Sequence, residues 1–438
     1  MKKVTTRAFA VLLLGALLLG GMGVYIFRLI RDGGDWAAFY ANDSVYTRGV
    51  LNRGTILDRD GVVLASAGEN GFHYADTYAV RRSCLHVLGD LDGNIGTGVL
   101  SVFRPEILNY SFFTGTTTDG GTLKLTIDAD VSAAAYNALN GRKGTVLVYN
   151  YKTGQIICMV SAPGWDPAEG IRFNLDDPSY EGAFINRAVS SSFVPGSVFK
   201  LVTMAAAIEN IPDIWQQTFT CTGSTIIGGQ RIVCTGTHGT ITVEQGLAHS
   251  CNVVFGEIGQ QLGGELISQY AEKYGLTEGH TLNGVIPTAA GSVPAAEGDG
   301  DAAWAGIGQY EDLINPYAFM RFMGAIANGG VCVEPTLLQG KSGGTTQLME
   351  ATTAQSLSEM MSYNITYNYG SWNYPGLEMH AKTGTAEVGN GSTHAWFAGF
   401  ITNSNAPLAF VVMAERAGSG YSIASPIANT VLQKAVNG

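Results

Sequence analysis

The segment around Ser197 combines a hydroxyl and an amine at a spacing that could support nucleophilic catalysis. Lys200 follows three residues later and opens an apolar, helix-forming run over 201–208. Because residues three apart share one face of a helix, the lysine side chain can reach the serine hydroxyl. A lysine can take the serine proton when desolvation lowers its pKa, and Val198 and Phe199 would supply that desolvation. An ordinary first helical turn with a solvated lysine is the alternative.

Two further motifs carry polar groups of the same kind. Ser250 and Asn252 flank Cys251 between two apolar segments, at a junction where a hydroxyl and an amide can project into a cleft. Lys382 opens a Lys-Thr-Gly-Thr tetrapeptide that offers positive charge and hydroxyl donors to a carboxylate. Gly384 within it lacks a side chain, which would let a peptide approach the strand backbone. Taken singly, each motif also fits a solvated polar surface.

Together and in this order, the three motifs resemble the active-site signature of penicillin-binding proteins and serine β-lactamases. The sequence also resembles the transpeptidase domain of penicillin-binding proteins at 186–188, 308–309, 327–330 and 394–397. Upstream, residues 53–61 resemble the N-terminal module of class B penicillin-binding proteins, which β-lactamases lack. The resemblance covers nearly the whole chain and favours a class B penicillin-binding protein.

The resemblance implies a role for each residue of the motifs. Ser197 would be the acylated nucleophile, and Lys200 would be its general base. Ser250 would relay a proton to the leaving amine, and Asn252 would position Lys200 and the substrate amide. The charge of Lys382 would keep Lys200 neutral. The residues implied to bind the substrate and its carboxylate are Thr383, Gly384 and Thr385.

The reaction implied by the resemblance consists of two acyl transfers. A D-Ala-D-Ala stem peptide of peptidoglycan would lose its terminal D-Ala to form an acyl-enzyme, and an amine of a neighbouring stem would attack it. The backbone N–H groups of Ser197 and Thr385 would form the oxyanion hole. β-Lactams, which mimic D-Ala-D-Ala, would acylate the same serine, and no cofactor is implied. The alternatives are a D,D-carboxypeptidase or β-lactamase of the same fold, and a non-catalytic β-lactam or cell-wall sensor or scaffold.

A central sheet with helices around it is predicted to position these motifs. The fold class is α/β (α+β), the penicillin-binding transpeptidase fold with a central antiparallel sheet flanked by helices. Nearly continuous apolar runs in one predicted hairpin, 145–149 and 155–160, indicate burial on both faces. Helix signals are an N-cap at Asp130 and a capping box at Thr242–Gln245. The remaining predicted elements are strands 123–127, 377–383, 394–402 and 408–413 and helices 131–139, 316–328 and 426–436.

The N-terminus predicts a membrane anchor and an exported body. The chain divides into a cytoplasmic tail (1–7), a transmembrane anchor (8–30), a small β-rich module (31–122) and the transpeptidase domain (123–438). Basic residues before the apolar run favour a cytoplasmic tail and an extracytoplasmic catalytic domain. A cleaved signal peptide is the less favoured alternative because the apolar run is long and lacks a good cleavage site.

Composition and family resemblance limit the kinds of molecule that this protein is expected to bind. With 25 Lys+Arg against 36 Asp+Glu, the net charge of −11 argues against nucleic acid. The resemblance implies peptidoglycan stem peptides and β-lactam inhibitors as ligands. It also implies a polytopic membrane glycan polymerase as partner, because no upstream segment is large enough for a glycosyltransferase domain.

Six cysteines raise the question of disulfides and metals. Cys221 and Cys234 flank a glycine-rich turn in the exported body, where a disulfide would close the loop and free thiols are the alternative. The other four cysteines are predicted to be small apolar fillers. The seven histidines show no H-x-x-x-H spacing, so no metal is predicted.

Overall fold

The computed structural model describes residues 2–39, 42, 45–47, 50–68 and 71–438. Its helices are α1 (Lys2–Ala37), α2 (Tyr78–Ser83), α3 (Leu85–Leu88), α4 (Val99–Val102), α5 (Arg104–Ile107), α6 (Ala129–Leu139), α7 (Arg187–Ser190), α8 (Lys200–Asn210), α9 (Val243–Ala248), α10 (Asn252–Leu262), α11 (Gly264–Lys273), α12 (Asp299–Gly306), α13 (Pro316–Ala327), α14 (Ala351–Tyr363) and α15 (Ser425–Asn437). Single 3₁₀ turns occur at Pro178–Tyr180, Gly196–Val198 and Ser371–Asn373, and π-helical turns at Asn364–Tyr369 and Gly420–Ala424.

The longest strands lie in the C-terminal part of the chain, after residue 143. They are β1 (Tyr46–Thr47), β2 (Val50–Leu51), β3 (Gly54–Leu57), β4 (Val63–Gly68), β5 (Gly71–Tyr74), β6 (Thr122–Lys124), β7 (Gly144–Asn150), β8 (Ile156–Ala162), β9 (Thr218–Cys221), β10 (Ser224–Ile227), β11 (Gln230–Val233), β12 (Gly239–Thr242), β13 (Thr281–Leu282), β14 (Ile286–Pro287), β15 (Val331–Val333), β16 (Thr345–Gln347), β17 (Met379–Glu387), β18 (Thr393–Ile401) and β19 (Leu408–Ala414).

The core is a five-stranded antiparallel sheet in the order β17-β18-β19-β7-β8. Almost every residue of β7, β8 and β19 is buried, as their continuous apolar runs predict. One face packs against α6 and α15 through side chains such as Val131 and Val431. The other face packs against α13, whose Phe319 ring lies edge-on to Trp396 of β18. The order of the strands leaves β17 at the edge of the sheet.

The N-terminal module is a second, smaller sheet with short helices. Strands β5, β4 and β3 are antiparallel, and β6 joins them in parallel to β3. The glycine-rich segment 114–121 leads into β6 and is fastened to the module, since the Thr55 N–H donates to the Gly121 carbonyl (2.9 Å). The strand predicted at 123–127 is therefore the shorter β6 and pairs with the small sheet.

Buried polar contacts hold the module on the catalytic part. The Asp58 carboxylate accepts hydrogen bonds from the N–H groups of Asp60 and Val62 (2.8 Å each) and from Ala129 at the start of α6 (3.2 Å). Arg81 of α2 makes a bidentate ion pair with Asp166 (2.8 and 2.7 Å). Bidentate arginine–carboxylate pairs fix orientation as well as distance.

The five strands of the central sheet and helices α6, α13 and α15 lie within a few residues of their predicted positions. The capping box of α9 is formed, and Asn315 caps α13. Helix α6 instead takes Asp128 as its N-cap, with Asp130 in the first turn. Both carboxylates suit a helix start, and Asp128 is the one whose extended backbone directs its side chain at the Val131 N–H (2.9 Å).

Asp312 is a buried carboxyl for which the described residues provide no hydrogen-bond donor. Burial raises its pKa well above the ordinary value. The unfolded chain therefore loses a proton above about pH 4 that the folded chain retains, and this lowers stability as pH rises. We expect Asp312→Asn to stabilise the protein by an amount that grows with pH, by up to about 1.4 kcal/mol per pH unit. Denaturant unfolding of both proteins at pH 5 and pH 7.5 checks this; an equal difference at both pH values would contradict it.

Candidate active site

Ser197 lies in a 3₁₀ turn that enters helix α8. Gly196 before it has a φ of +56°, and a Cβ there would lie 2.8 Å from the Thr385 carbonyl oxygen of β17. The Gly196 N–H donates to the Gly308 carbonyl (2.9 Å). Glycine is therefore required where this turn passes between β17 and the loop after α12. The turn holds Ser197 at the edge of the central sheet.

Lys200 is fully buried beneath Ser197. Its Nζ lies 3.0 Å from the Ser197 Oγ, and it donates to the Ser250 carbonyl and to the Asn252 Oδ1 (2.7 Å each). These two oxygens are acceptors only, so they occupy two N–H groups of the amine. In neutral Lys200 the remaining position is the lone pair, which is then available for the proton of Ser197.

The loop between α9 and α10 brings Ser250 and Asn252 to this amine. Ser250 has a φ of +54°, a left-handed conformation that is unusual for serine. Its Oγ lies 3.3 Å from the Lys200 Nζ and 2.9 Å from the Lys382 Nζ. Asn252 begins α10, and its Nδ2 donates to the Val233 carbonyl at the end of β11 (2.8 Å). The Ser250 hydroxyl therefore bridges the two lysines.

Strand β17 presents its open edge to the Ser197 turn. The Thr383 N–H donates to the Tyr369 hydroxyl (3.2 Å) instead of to β18. Because N–H groups of alternate residues in a strand point the same way, the Thr385 N–H also lies on the open edge. The Thr383 hydroxyl is 2.9 Å from the same tyrosine oxygen. Tyr369 positions Thr383 and has no local sequence signal, since it comes from the π-helical turn after α14.

One expectation for this strand differs from the structure. The alternation of apolar and polar residues over 377–382 predicts a strand with one buried face and Lys382 on the opposite face, whereas Lys382 is fully buried because the Ser250 loop covers it. A Cβ on Gly384 would lie 3.0 Å from Pro195, Val198 and Trp396, so the lack of a side chain lets β17 pack closely against the Ser197 turn. That Gly384 also admits a substrate peptide stays a prediction.

Burial of two amines sets the electrostatics of the site. Burial lowers the pKa of Lys200 to about 7, an effect that the nearby Cys251 and Cys234 sulfurs partly oppose. The pKa of Lys382 is lowered well below its ordinary value, first by burial and then by the nearby Lys200 charge. Two amines in contact with one hydroxyl cannot both be charged without repulsion. Near neutral pH at least one of them can therefore accept a proton.

A cleft of about 330 Å³ opens above these groups. Ser197, Ser250, Asn252, Thr383 and Thr385 line it. Sequence reasoning did not place the other lining residues, which come from separate loops and from β11, α12, β17 and β18. For Trp304 and Gln309, the sequence signal of a place in the cleft would have been an aromatic or amide side chain within a glycine-rich segment. The further lining residues are Val233, Thr235, Trp304, Ile307, Gln309, Glu387 and Thr393.

A family comparison identifies the fold around this site. Residues 144–433, more than half of the chain, match the family model described as the penicillin binding protein transpeptidase domain. The chain belongs to this family of penicillin-binding proteins. The match contains Ser197, Ser250 and Lys382 together with the whole five-stranded sheet.

Similar proteins agree with this assignment. The peptidoglycan D,D-transpeptidase PbpA of Mycolicibacterium smegmatis is 28% identical over 378 residues, 74% of this chain and 74% of the relative. The D,D-transpeptidase domain of a peptidoglycan glycosyltransferase from Eggerthella lenta has a TM-score of 0.74 at 26% identity, with 88% of this chain and 98% of that chain covered. The penicillin G acyl-enzyme of penicillin-binding protein A from Mycobacterium tuberculosis shows the same fold (TM-score 0.75, 24% identity, 88% and 99% covered). The predicted fold and serine transpeptidase class are confirmed.

The cysteines of this penicillin-binding protein bear on an alternative that the sequence leaves open. All six are free in the structure, which favours free thiols over a disulfide between Cys221 and Cys234. Instead, the Cys234 sulfur lies 3.6 Å from that of Cys251, which the sequence analysis treated as an apolar filler. The loop between Cys221 and Cys234 therefore packs against the Ser250 loop.

The lowered pKa of Lys200 predicts a pH dependence of acylation in this penicillin-binding protein. If Lys200 is the base, it accepts the Ser197 proton only when it is neutral, so the rate should rise with pH through about 7 and then level off. Below that range the rate should fall about tenfold per pH unit, as a single protonation predicts. The second-order rate constant for benzylpenicillin, measured from pH 5.5 to 9, tests this. A flat profile would exclude a titrating base.

Proposed function

We propose that this protein is a membrane-anchored D,D-transpeptidase that cross-links peptidoglycan stem peptides through an acyl-enzyme on Ser197. The observation that carries the proposal is the continuous chain of polar contacts from Ser197 through Lys200 and Ser250 to Lys382 (3.0, 3.3 and 2.9 Å). This chain of contacts supports a nucleophile, a base and a proton relay at the floor of one cleft.

In the first half-reaction, Lys200 takes the proton of Ser197 as the serine Oγ attacks the carbonyl carbon of the penultimate D-Ala. The carbonyl oxygen becomes negatively charged and receives hydrogen bonds from the N–H groups of Ser197 and Thr385. Collapse of this intermediate breaks the peptide C–N bond and leaves an ester on Ser197. The departing D-Ala amine takes its proton from Ser250, which is resupplied by the adjacent lysines.

The second half-reaction reverses the direction of proton flow. An amine from a neighbouring stem attacks the ester carbon and gives its excess proton to the Ser250–Lys200 relay. The new amide bond forms, and Ser197 leaves as a hydroxyl after taking back the proton from Lys200. In the donor complex the terminal carboxylate of the substrate lies beside the Thr383 and Thr385 hydroxyls and near the Lys382 amine. Its negative charge favours a protonated Lys382 and so keeps Lys200 neutral.

Helix α1 supports membrane anchoring. It is long and apolar enough to cross a bilayer, and its most apolar stretch is not buried against the rest of the chain. A soluble core helix of that composition would be covered by protein. In this proposal residues 1–7 are cytoplasmic, the catalytic part is extracytoplasmic, and α1 with the N-terminal module contacts a polytopic glycan polymerase. Crosslinking in membranes from α1 to such a polymerase would test the partner.

Two assays on the full chain in detergent test the catalytic proposal. Intact-mass spectrometry after benzylpenicillin should show one stable adduct, mapped to Ser197. A diacylated peptide ending in D-Ala-D-Ala, supplied with an amine acceptor, should release D-Ala and yield the aminolysis product. Release of D-Ala without that product would favour a carboxypeptidase, and rapid clearance of the penicillin adduct would favour a β-lactamase. A complete lack of adduct would favour a non-catalytic sensor or scaffold.

A further inference from the structure

Three cysteines and one histidine converge behind the Ser250 loop. Cys221, Cys234, His238 and Cys251 each offer one ligand atom, and these four atoms all lie within 4.8 Å of one another. Cys221 and Cys251 are fully buried, and the other two are half-buried. We refer to these four residues as the cysteine–histidine cluster.

Distances within the cluster fit a tetrahedral metal site. Zinc bonds of about 2.3 Å to sulfur and 2.0–2.1 Å to nitrogen place two sulfurs about 3.8 Å apart and a sulfur and a nitrogen about 3.6 Å apart. The Cys234 sulfur is 3.6 Å from the Cys251 sulfur and 3.6 Å from the His238 Nδ1. A disulfide has a sulfur–sulfur distance of about 2.05 Å. These two distances therefore match two of the six edges of a metal tetrahedron, and the other pairs of ligand atoms lie within 4.8 Å of one another.

The cluster joins three short segments of the chain, around residue 221, residues 234–238 and residue 251. Cys221 ends β9, Cys234 follows β11, His238 precedes β12, and Cys251 caps α10. The Asn252 N–H donates to the Cys234 sulfur (3.4 Å), a contact that stabilises a thiolate ligand. The spacing Cys-x₁₂-Cys-x₃-His-x₁₂-Cys contains a single histidine, so the absence of an H-x-x-x-H pair, on which the prediction of no metal rested, does not bear on it.

The geometry points to a structural Zn²⁺ ion bound by Cys221, Cys234, His238 and Cys251. Three thiolates and an imidazole form a complete ligand set for zinc, with no open position for a substrate or water. Soft sulfur ligands in tetrahedral array favour zinc over magnesium or calcium, which prefer oxygen. The site is separate from the proposed reaction, and its metal content can be measured without any catalytic assay.

The ion stabilises the catalytic loop. Cys251 lies between Ser250 and Asn252, so a bond from its sulfur to the metal fixes the backbone that carries both contacts to Lys200. It also holds the left-handed conformation of Ser250, which costs free energy without such support. On the other side, Cys234 adjoins Val233, whose carbonyl receives the Asn252 amide. The metal thus positions the Ser250 loop against β11.

Elemental analysis of the full chain, purified in detergent without chelators, tests the site. We expect about one zinc per wild-type chain and loss of zinc from Cys234→Ala and His238→Ala. Two matched controls, Cys332→Ala and His249→Ala, should keep it, because Cys332 lies elsewhere in β15 and His249 stacks on His238 without belonging to the cluster. Chelation should lower the thermal midpoint of the wild type and of both controls.

A second measurement on the wild type does not depend on whether the variants fold. After chelation, three additional thiols should react with an alkylating reagent, as counted by mass spectrometry, and added Zn²⁺ should protect them. Co²⁺ added to the chelated chain should give the intense visible absorption of a tetrahedral thiolate complex. Zinc-free wild-type protein with no such cobalt spectrum would overturn the inference. A cluster cysteine found in a disulfide would also overturn it, whether or not the protein acylates.

Discussion

Replacing Ser197 with alanine will abolish the covalent penicillin adduct while leaving the fold intact. The Oγ atom is the only group removed, and the Ser197 backbone N–H proposed for the oxyanion hole remains. Lys200 keeps its hydrogen bonds to Ser250 and Asn252, so its buried amine stays satisfied in the variant. Intact-mass spectrometry with benzylpenicillin measures the loss of the adduct. The thermal unfolding midpoints of the variant and the wild type show whether the fold is intact.

Ser192→Ala is a matched control for this experiment. Ser192 lies five residues upstream, and its hydroxyl donates to the Ala290 carbonyl outside the cleft (2.7 Å). It should be acylated at the wild-type rate. An adduct on Ser197→Ala at the wild-type level would show that another residue is the nucleophile and would refute the assignment.

Replacing Lys200 with alanine is expected to slow acylation by about 10²–10⁴-fold, the usual contribution of a positioned general base. The substitution removes the group that contacts the Ser197 hydroxyl and leaves the Ser250 carbonyl and the Asn252 Oδ1 without their shared donor. Stopped-flow or quenched reaction with a chromogenic cephalosporin gives the acylation rate. The unfolding midpoint should also fall, because buried acceptors lose a hydrogen bond.

The variant Lys200→Arg tests whether Lys200 acts as a proton acceptor or through its positive charge. An arginine side chain keeps the positive charge but cannot lose its proton in a protein. Acylation should therefore remain slow in Lys200→Arg. Recovery of the wild-type rate would show that Lys200 acts through its charge, and the wild-type rate should then fall as the pH rises through about 7. Lys152→Ala, at a surface amine bound to Asn328, serves as the control that should change nothing.

Local signals in the sequence determine much of the catalytic fold. The apolar runs of β7, β8 and β19 predict a sheet buried on both faces, and the caps of α9 and α13 lie where the side-chain chemistry places them. Such features depend on neighbours a few residues away, so a single sequence records them. The three-residue spacing of Ser197 and Lys200 is a local feature of the same kind, so the sequence alone records it.

Contacts between distant segments were decided by the tertiary structure. The Ser250 loop covers Lys382, 132 residues away, and turns a lysine from an apparently exposed face into a fully buried amine. Gly384 contacts Pro195 and Val198 on the Ser197 turn, which a strand pattern does not encode. The cysteine–histidine cluster joins segments up to 30 positions apart without a local metal motif.

The sequence by itself determined the proposed nucleophile–base pair, the order of the three motifs and the class of enzyme they resemble. Only the tertiary structure decided which of those groups are desolvated, which hydroxyl bridges the two lysines and which cysteines meet. The physical reason is that periodicity and capping are local properties, whereas desolvation and ligand geometry arise when remote segments pack together and exclude water.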